Sequence, residues 1–344
     1  MKTTTLILNK NSENLPEISD KSVDLIVTSP PYPMIEMWDN LFCKINPTIS
    51  DDLKNFRGNN AFEKMHEILN KSWQECDRVL KDNGFVCINI GDATRTINGN
   101  FSLYSNHTKI INFFQKMGYS VLPDILWRKQ SNSPNKFMGS GMYPAGAYVT
   151  YEHEYILVFR KGTKRIFDVK DKIRRQQSAY FWEERNVWFS DLWDVKGTSQ
   201  IIETPIIARK RNASFPFEIP YRLVNMYSVK GDTVLDPFCG FGLTNLACVC
   251  SERNSIGVDI EAEICEFALK NLSGAKDILN KIIEKRLNFH NAFISTLSDE
   301  KKEKCYKNSH HNFLVKTRQE KEICINKISE ISRLSNQITC KFED

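Results

Sequence analysis

Ser29, Pro30, Pro31 and Tyr32 stand together in the chain and combine groups that could hold an amine. Four of the five residues 23–27 before them are apolar, which predicts a short buried strand that the two prolines end. Each proline fixes its own φ and disfavours the helical conformation in the residue before it, so Ser29 and Pro30 are expected to be extended. Such a rigid segment can direct the Ser29 hydroxyl and the Pro30 carbonyl toward one point, with the Tyr32 ring beside them.

The exocyclic amine of a nucleobase is a substrate that would need such groups. Its lone pair is delocalised into the ring, and two acceptors bonded to its N–H groups would hold it with the lone pair turned outward. An aromatic ring can stack on a base in a contact worth about 1–3 kcal/mol. A stiff loop without chemistry is an equal alternative for the tetrapeptide alone, so a second motif has to decide.

A second stretch, residues 233–242, predicts a strand that runs into a turn containing Gly240 and Gly242. A helical pattern follows, and the next strand-like run ends in Asp259, twenty-three residues after Asp236. In a doubly wound sheet a ligand binds at the carboxyl ends of the strands, where glycines let the backbone approach it. The carboxylate of Asp259 could there accept hydrogen bonds from both hydroxyls of a ribose. The pattern therefore predicts a nucleoside cofactor.

Two features of the turn bear on the identity of that cofactor. A dinucleotide fingerprint would have a third glycine near Asn245, with a pyrophosphate at the helix N-terminus. Asp236 places a carboxylate near the turn, which is unfavourable for phosphates and suits the ammonium of an amino-acid moiety. S-adenosyl-L-methionine is therefore favoured over a dinucleotide, and a nicotinamide-dependent oxidoreductase remains as the alternative.

The rest of the pattern predicts the sheet that would position both stretches. In chain order the predicted elements are a strand at 5–8, a helix at 61–80, a turn at 81–84, a strand at 85–90, a helix at 110–117 and strands at 119–127 and 154–160. This order predicts an α/β fold with a mostly parallel sheet and an antiparallel hairpin at one edge. In the tail we expect an edge strand within 311–317 and a helix over 323–334.

Residues 160–211 contain thirteen Lys or Arg against seven Asp or Glu. Three of the six tryptophans also fall there, within twelve residues. Basic side chains could neutralise phosphates, and interleaved aromatic rings could pack a small module or wedge against bases. The basic residues expected to bind DNA are Lys164, Arg165, Lys172, Arg174 and Arg175. Two alternatives stay open: a solvated basic face over an aromatic core, and a nucleic-acid-binding module without catalysis.

The composition bounds the class of protein. The 344 residues carry a formal net charge of +5, which allows a polyanionic partner without demanding one. No apolar run is long enough to cross a membrane and the N-terminus has no signal-peptide layout, so a soluble, cytoplasmic protein is expected. The ten cysteines form no Cys-x-x-Cys pair, so we expect neither disulfides nor a metal site.

Taken together, these motifs resemble those of a known family. Residues 28–32, Thr-Ser-Pro-Pro-Tyr, and 236–242, Asp-Pro-Phe-Cys-Gly-Phe-Gly, are similar to the main motifs of the amino-group DNA methyltransferases of bacterial restriction–modification systems. Their order resembles the permuted β arrangement, in which the catalytic motif comes first. Residues 215–224 resemble the helix that completes the cofactor pocket, and 154–161 resemble the strand before the recognition region. The resemblance covers about residues 5–275.

The resemblance implies a Rossmann-like methyltransferase sheet that is circularly permuted and carries an inserted target-recognition region. The implied divisions are a catalytic half at 1–160, the target-recognition region at 161–211, a cofactor-binding half at 212–275 and a C-terminal extension of unassigned role at 276–344. The implied cofactor is S-adenosyl-L-methionine and the implied partner is double-stranded DNA in the nucleoid. A restriction endonuclease for the same site is a further expected partner, and the oligomeric state is left open.

The resemblance also implies roles at matching positions. Ser29 and the carbonyl of Pro30, within the catalytic motif that includes Pro31, would accept hydrogen bonds from the target amine. Tyr32 would stack on the base. The residues implied for the cofactor are Asp236, Phe238, Gly240 and Gly242 at its methionine end, Asp259 at its ribose, and Pro237 and Phe215 in the same two motifs.

The first residue of the tetrapeptide bears on the target base. In the family that the motifs resemble, serine at this position is typical of N4-cytosine enzymes, whereas aspartate or asparagine is typical of N6-adenine enzymes. The expected reaction is a direct in-line methyl transfer to the N4 amine of a cytosine that leaves the duplex, at a cost of a few kcal/mol. N6-adenine specificity and an RNA target remain the alternatives.

Overall fold

Strands and helices alternate along much of the chain. A computed structural model gives the positions of residues 1–129, 138–139, 142–196 and 215–343. The strands are β1 (Lys2–Asn9), β2 (Val23–Thr28), β3 (Leu80–Ile90), β4 (Ala93–Ile97), β5 (Asn100–Tyr104), β6 (Ser120–Val121), β7 (Ile125–Arg128), β8 (Met138–Gly139), β9 (Ala147–Tyr148), β10 (His153–Arg160), β11 (Leu192–Trp193), β12 (Thr233–Asp236), β13 (Asn254–Asp259), β14 (Tyr306–Lys307), β15 (Leu314–Val315), β16 (Ile328–Leu334) and β17 (Gln337–Phe342). The helices are α1 (Asp39–Ile45), α2 (Thr48–Lys54), α3 (Gly58–Val79), α4 (Asn106–Lys116), α5 (Val169–Gln177), α6 (Trp182–Trp188), α7 (Glu218–Tyr227), α8 (Leu243–Cys250), α9 (Ala262–Ser273), α10 (Lys276–Ser295) and α11 (Asp299–Glu303), with 3-10 turns at Glu36–Trp38 and Arg318–Glu320.

The main sheet has eleven strands in the order β11-β7-β10-β3-β2-β12-β13-β1-β17-β16, with β6 paired to β10. The five central neighbours, β3, β2, β12, β13 and β1, run parallel. Strand β2 is buried along its whole length, as a parallel strand covered on both faces must be. The predicted mostly parallel α/β sheet is therefore confirmed, and the carboxyl ends of β2, β12 and β13 share one edge.

Each face of the sheet carries its own apolar core. On one face α7, α8 and α10 pack against the strands through buried residues such as Val224 and Ile283. On the other face α3 and α4 contribute buried residues such as Leu69 and Phe114. The helical spacing over 61–80 is thus confirmed as α3, and each fully buried side chain of this size stabilises the fold by about 1.5–3 kcal/mol.

Antiparallel strands flank the parallel centre of the sheet on both sides. Strand β10 pairs with β3 and β7 in antiparallel register, which confirms the edge hairpin predicted from the strand-like runs on either side of residue 140. At the opposite edge β17 pairs with β1 and β16 pairs with β17, also antiparallel. The main sheet therefore extends into the C-terminal extension.

This second hairpin shows that the helix predicted over 323–334 is wrong. Residues 328–334 form β16, and a turn at Ser335, where φ is 55°, folds β17 back along it. Ile328 and Ile338 are then fully buried. The hydrogen bonds between β16 and β17 and the burial of these side chains stabilise the hairpin, although the spacing of the apolar residues alone favours a helix. The strand expected within 311–317 exists as β15, but it pairs with β14 outside the main sheet.

The turn predicted at 81–84 is also wrong, because these residues belong to β3. The strand is irregular there: Asn83 has a φ of 73°, and the pairing of β2 with β3 shifts register between Val23 and Leu25. Asparagine tolerates the left-handed region better than most residues. The break in the apolar pattern therefore marks a kink within the strand and not its end.

The four predicted divisions of the chain share the main sheet. Strand β11, from the predicted recognition region, pairs with β7, and β17, from the predicted C-terminal extension, pairs with β1. Residues 197–211 of the predicted recognition region lie outside the described residues, and the divisions stay predictions. Among the residues that have positions, none of the helices is both long and apolar enough to span a bilayer.

Candidate active site

Two segments that are far apart in the chain meet at the carboxyl ends of β2 and β12. The hydroxyl of Thr28 donates a hydrogen bond of 2.6 Å to Oδ1 of Asp236, across 208 positions of sequence. The two strands are parallel neighbours, with Leu25 opposite Val234, so the turns that follow them open at the same edge. The fold thus brings the serine motif and the glycine-containing turn together.

A cleft at this edge is lined by both motifs. One side contributes Ser29, Pro30 and Pro31. The residues predicted to bind the cofactor that border the same cleft are Phe215, Asp236, Pro237, Phe238, Gly240 and Asp259. A ligand seated on the second motif would therefore lie next to the serine of the first.

Gly242, by contrast, lies behind the cleft and shapes the turn. It precedes α8 with a φ of 79°, a conformation that glycine adopts without steric cost. A Cβ at this position would lie 3.3 Å from the Cβ of Ala268. Glycine is thus required here for the backbone conformation and for close packing against α9.

Asp236 is a buried carboxylate, 2 % exposed, at the floor of the cleft. Burial raises its pKa to about 6, against the opposing effect of hydrogen bonds from the hydroxyls of Thr28 and Thr244 and the backbone N–H of Phe238. Repulsion from Asp259 raises the pKa further. A carboxylate in this environment gains more than an exposed one from a cationic ligand, because the cation offsets the cost of burying the charge.

Asp259 lies at the rim of the cleft, where backbone amides orient its carboxylate. Oδ2 accepts a hydrogen bond of 3.2 Å from the N–H of Gly240, and Oδ1 accepts one of 2.9 Å from the N–H of Glu261. Gly240 has a φ of 50°, and a Cβ added to it would meet no heavy atom of the described residues within 4 Å. The backbone of the turn therefore faces open space that a ligand can approach.

Two further parts of the cleft are not among the predicted site residues. An apolar wall comes from the start of α1 and includes Trp38, Leu41 and Phe42. Polar residues 10–13, which follow β1, border the cleft as well. Strand β1 is the parallel neighbour of β13, so the segment after it had to reach this edge. The order of strands in the sheet, however, could not be read from the sequence.

The chemistry of these groups fits S-adenosyl-L-methionine. A buried carboxylate at Asp236 suits the ammonium of the amino-acid moiety, and the oriented carboxylate of Asp259 suits ribose hydroxyls. The apolar wall around Trp38 offers a surface for an adenine ring. The cleft thus has a complementary group for each part of this cofactor.

A polar cluster behind Ser29 was also missed. The hydroxyl of Tyr32 lies 3.0 Å from Oγ of Ser29, 2.9 Å from Oε2 of Glu154 and 2.8 Å from Nδ2 of Asn89. Nδ2 of Asn89 also donates to Oε2 of Glu154 at 2.7 Å, and Nζ of Lys129 donates to Oε1 at 2.8 Å. The alternation of β10 places Glu154 on the same face as Asn89 of β3. That register is the signal that the sequence alone did not give.

Tyr32 is held by this cluster and does not border the cleft. Burial and the charge of Glu154 raise the pKa of Tyr32 well above its ordinary value, so the phenol stays protonated. A Cβ on Gly91 would lie 3.1 Å from the Tyr32 ring, so glycine makes room for the ring there. Stacking of Tyr32 on a base stays a prediction.

Two of the five predicted DNA-binding residues are engaged in ion pairs. Arg165 makes hydrogen bonds of 2.7 and 3.0 Å to the carboxylate of Asp232, and Arg174 lies 3.7 Å from the same carboxylate. Asp232 precedes β12, at the edge of the sheet opposite the cleft. Arg165 and Arg174 therefore have a structural role that the sequence did not predict, and any contact of theirs with DNA stays a prediction.

The other three predicted DNA-binding residues, Lys164, Lys172 and Arg175, are exposed. The guanidinium of Arg175 lies 4.7 Å from the centre of the Phe167 ring, and Lys172 is on the same helix, α5. The end of that helix lies beside the start of β12, since the N–H of Lys230 donates a hydrogen bond of 2.8 Å to Oγ of Ser178. DNA at the cleft would have to extend around the sheet to reach them.

Three aromatic residues of the basic segment, Phe181, Trp188 and Trp193, are buried. Trp188 and Trp193 are buried in the core that includes α7, and Phe181 stacks on His290 of α10 with ring centres 3.8 Å apart. Trp182 is 36 % exposed and carries Nζ of Lys316 over its ring. Three of the five rings are thus buried, and two of these, Trp188 and Trp193, pack in the main core of the sheet; packing of a separate small module stays a prediction.

The C-terminal extension supports the same segment through buried charges. Arg286 makes hydrogen bonds of 2.6 and 2.8 Å to the carboxylate of Glu184. His290 lies 2.7 Å from Oε1 of Glu183, and the backbone N–H of Trp182 donates to Glu320 at 2.8 Å. These contacts fix the start of α6 against α10.

The sequence matches a family of known enzymes. The family profile described as DNA methylase matches residues 23–270. The Type II methyltransferase M.MthZI of Methanothermobacter thermautotrophicus is 50 % identical over 326 residues, which cover 94 % of this chain and 90 % of that protein. The Type II methyltransferase M.MjaI of Methanocaldococcus jannaschii is 50 % identical over 269 residues, which cover 75 % of this chain and 88 % of that protein.

A solved structure resembles the fold. A protein of Thermus thermophilus, named as a DNA modification methylase and crystallised in complex with S-adenosyl-L-methionine, superposes with a TM-score of 0.58. It is 27 % identical, and the alignment covers 78 % of this chain and 93 % of that one.

Proposed function

The chain belongs to the DNA methylase family, and on that premise we propose that this S-adenosyl-L-methionine-dependent DNA methyltransferase modifies the exocyclic N4 amine of cytosine in double-stranded DNA. The target base would leave the duplex to reach the cleft. Two relatives that are named Type II methyltransferases support a role as the protective member of a restriction–modification pair. A cognate endonuclease would then act on the same DNA site.

One observation carries the proposal: Ser29 and Pro30 border the same cleft as Asp236 and Gly240. The hydrogen bond between Thr28 and Asp236 fixes the distance between the two motifs. An amine held by the first motif would therefore lie beside a methyl donor held by the second. Positioning of this kind is a large part of what a group transfer between two bound reactants requires.

The chain's own residues do the binding and the orientation. Asp236 would hold the ammonium of the cofactor and Asp259 its ribose, while Ser29 and the Pro30 carbonyl would hold the target amine. The bound cofactor supplies a methyl group that its sulfonium already activates. No nucleophilic side chain is needed, because the amine itself attacks.

The choice of cytosine rests on Ser29. In the family, serine at the head of the tetrapeptide is typical of N4-cytosine enzymes, and its neutral hydroxyl can accept a hydrogen bond from an amine. The same cleft could accept the N6 amine of adenine, which is the alternative within the family. The modified base identified by experiment therefore decides between cytosine and adenine.

The test is mass spectrometry of nucleosides from the DNA of a host that lacks base methylation and expresses this chain. We expect N4-methylcytosine in DNA from cells with the natural protein and much less of it with Ser29→Ala. N6-methyladenine instead would replace the proposed base with the alternative. Modified nucleosides in RNA and not in DNA would overturn the proposed substrate.

A further inference from the structure

Ser29 is connected to a buried carboxylate that does not border the cleft. The connection runs from Oγ of Ser29 through the hydroxyl of Tyr32 to Oε2 of Glu154, over distances of 3.0 and 2.9 Å. Glu154 is 7 % exposed and Asn89, which bonds to both Tyr32 and Glu154, is 2 % exposed. Buried hydrogen-bonded groups of this kind have fixed geometry, because leaving any of them unpaired is costly.

The direction of each hydrogen bond follows from the groups involved. A carboxylate can only accept, so Tyr32 must donate its single proton to Glu154. The amide of Asn89 donates to the phenol oxygen as well. The phenol oxygen therefore has only a lone pair to offer Ser29, and Ser29 must donate its own proton to Tyr32.

This direction leaves the oxygen of Ser29 with lone pairs for the cleft. A serine hydroxyl that could rotate freely would offer a donor as often as an acceptor. The target amine, however, carries N–H groups and needs acceptors. An orientation that is fixed by a carboxylate two hydrogen bonds away removes the unproductive rotamers.

We propose that Glu154 is a positioning residue that, through the hydroxyl of Tyr32, holds the hydroxyl of Ser29 as a hydrogen-bond acceptor toward the target amine. This inference rests on the proposed function, because it concerns how the same site holds its substrate. The negative charge of Glu154 also polarises the chain of hydrogen bonds, which makes the neutral serine oxygen a stronger acceptor. Lys129, 2.8 Å from the other carboxylate oxygen, balances that charge.

Glu154→Gln removes the fixed direction with little change in shape. The amide NH₂ of glutamine can donate to the phenol oxygen, so Tyr32 becomes free to donate to Ser29 and the hydroxyl of Ser29 turns its proton toward the cleft. We expect the single-turnover rate of methyl transfer to fall about tenfold or more, as for the loss of one charge-assisted hydrogen bond. The dissociation constant for S-adenosyl-L-methionine should stay within about a factor of two, since Glu154 does not border the cleft.

Glu152→Gln is the matched control. Glu152 is a neighbouring carboxylate that lies 3.6 Å from Arg128 and is 34 % exposed, so its removal should leave the rate unchanged. A rate for Glu154→Gln equal to that of the control, in a protein that still methylates DNA, would overturn the inference alone. Failure of the natural protein to methylate DNA would instead overturn the proposed function.

A second experiment separates positioning from a structural role. Ser29→Asp supplies an acceptor in any orientation, so in that background Glu154→Gln should change the rate by less than about twofold. A purely structural Glu154 would cost the same factor in both backgrounds, and that result would overturn the inference. If Ser29→Asp is inactive, the cycle of Tyr32→Phe and Glu154→Gln replaces it. We then expect the double variant to be no slower than the slower single variant, and multiplied losses would overturn the inference.

Discussion

The carboxylate of Asp236 offers a sharp test of how the cleft binds its cofactor. Burial raises the pKa of Asp236 from 3.8 to about 6. Asp236→Asn keeps an oxygen that can accept from Thr28 and from the backbone N–H of Phe238, and it removes the buried charge. The cofactor-free variant should therefore be more stable than the natural protein at neutral pH and yet bind the cofactor poorly.

The size and sign of the effect follow from the shift in pKa. As pH rises from about 4 to about 6, the unfolded chain loses the Asp236 proton while the folded protein keeps it, so stability falls by about 1.4 kcal/mol per pH unit. A shift from 3.8 to about 6 then costs about 3 kcal/mol in all, and the cost is constant at higher pH. The Asn variant avoids this cost. The two proteins should be equally stable near pH 4 and differ by up to about 3 kcal/mol above pH 6.

The assay is urea unfolding of both proteins without cofactor at a series of pH values, combined with calorimetric titration of S-adenosyl-L-methionine. The affinity of the natural protein for the cofactor should rise with pH up to about 6, because Asp236 becomes ionised over this range. Above pH 6 the affinity should stay constant, since the amino group of the ligand remains cationic until about pH 7.7–8.0. The Asn variant should bind weakly at every pH.

Asp299→Asn removes a fully exposed carboxylate and serves as the control, with no change in either measurement. A stability difference between natural protein and Asp236→Asn that does not vary with pH would refute the reasoning. So would an affinity of the natural protein that is as high at pH 4 as at pH 7.

Other positions test the remaining parts of the site. Ser29→Ala should lower the methyl-transfer rate about 10–100-fold with an unchanged cofactor dissociation constant; equal losses in both would place Ser29 at the cofactor. Asp259→Ala should weaken cofactor binding about tenfold in calorimetry, and an unchanged affinity would refute its ribose role. Arg286→Met should cost about 3 kcal/mol in urea unfolding, because it leaves a buried carboxylate unpaired; a loss below about 1 kcal/mol would show that water reaches the pair. Changing Lys172 and Arg175 to Gln should lower the slope of log affinity against log salt by about 2 if both touch DNA phosphates, and an unchanged slope would show that neither does.

Arg174→Gln is a matched control for the salt experiment. Arg174 is on the same helix as Lys172 and Arg175, but it is paired with Asp171 at 2.8 Å and lies near Asp232. We therefore expect it to lower stability and to leave the salt slope almost unchanged. A drop in slope of about 1, half of that expected for the double variant, would instead indicate that Arg174 contacts a DNA phosphate.

The central strands and the two motifs could be predicted because each is encoded locally. The run before Ser29 is apolar at four of the five positions 23–27 and is followed by two prolines. The turn at Gly240 is followed by a helical pattern and by Asp259. Both motifs end parallel strands, so the rule that ligands bind at carboxyl ends placed them together. The hydrogen bond from Thr28 to Asp236 joins the two motifs at that edge.

The parts that could not be predicted depend on pairing between distant segments. Glu154 meets Tyr32 only because β10 inserts beside β3 in a register that no local pattern gives. Arg165 was predicted to bind DNA because it lies in a segment rich in basic residues, but it is paired with Asp232, 67 positions away. The apolar residues of the C-terminal strand β16 have a helical spacing, but the segment forms a strand because it pairs with β17.

The central claim is that the amine and the methyl donor meet between Ser29 and the turn at Gly240. A crystal structure with an S-adenosyl-L-methionine analogue that carries an amine in place of the methyl-bearing sulfonium tests this most directly. We predict that its ammonium lies on Asp236, its ribose on Asp259, and its substituting amine toward Ser29 and the Pro30 carbonyl. An analogue bound elsewhere, or one whose substituting amine points away from Ser29, would contradict the account.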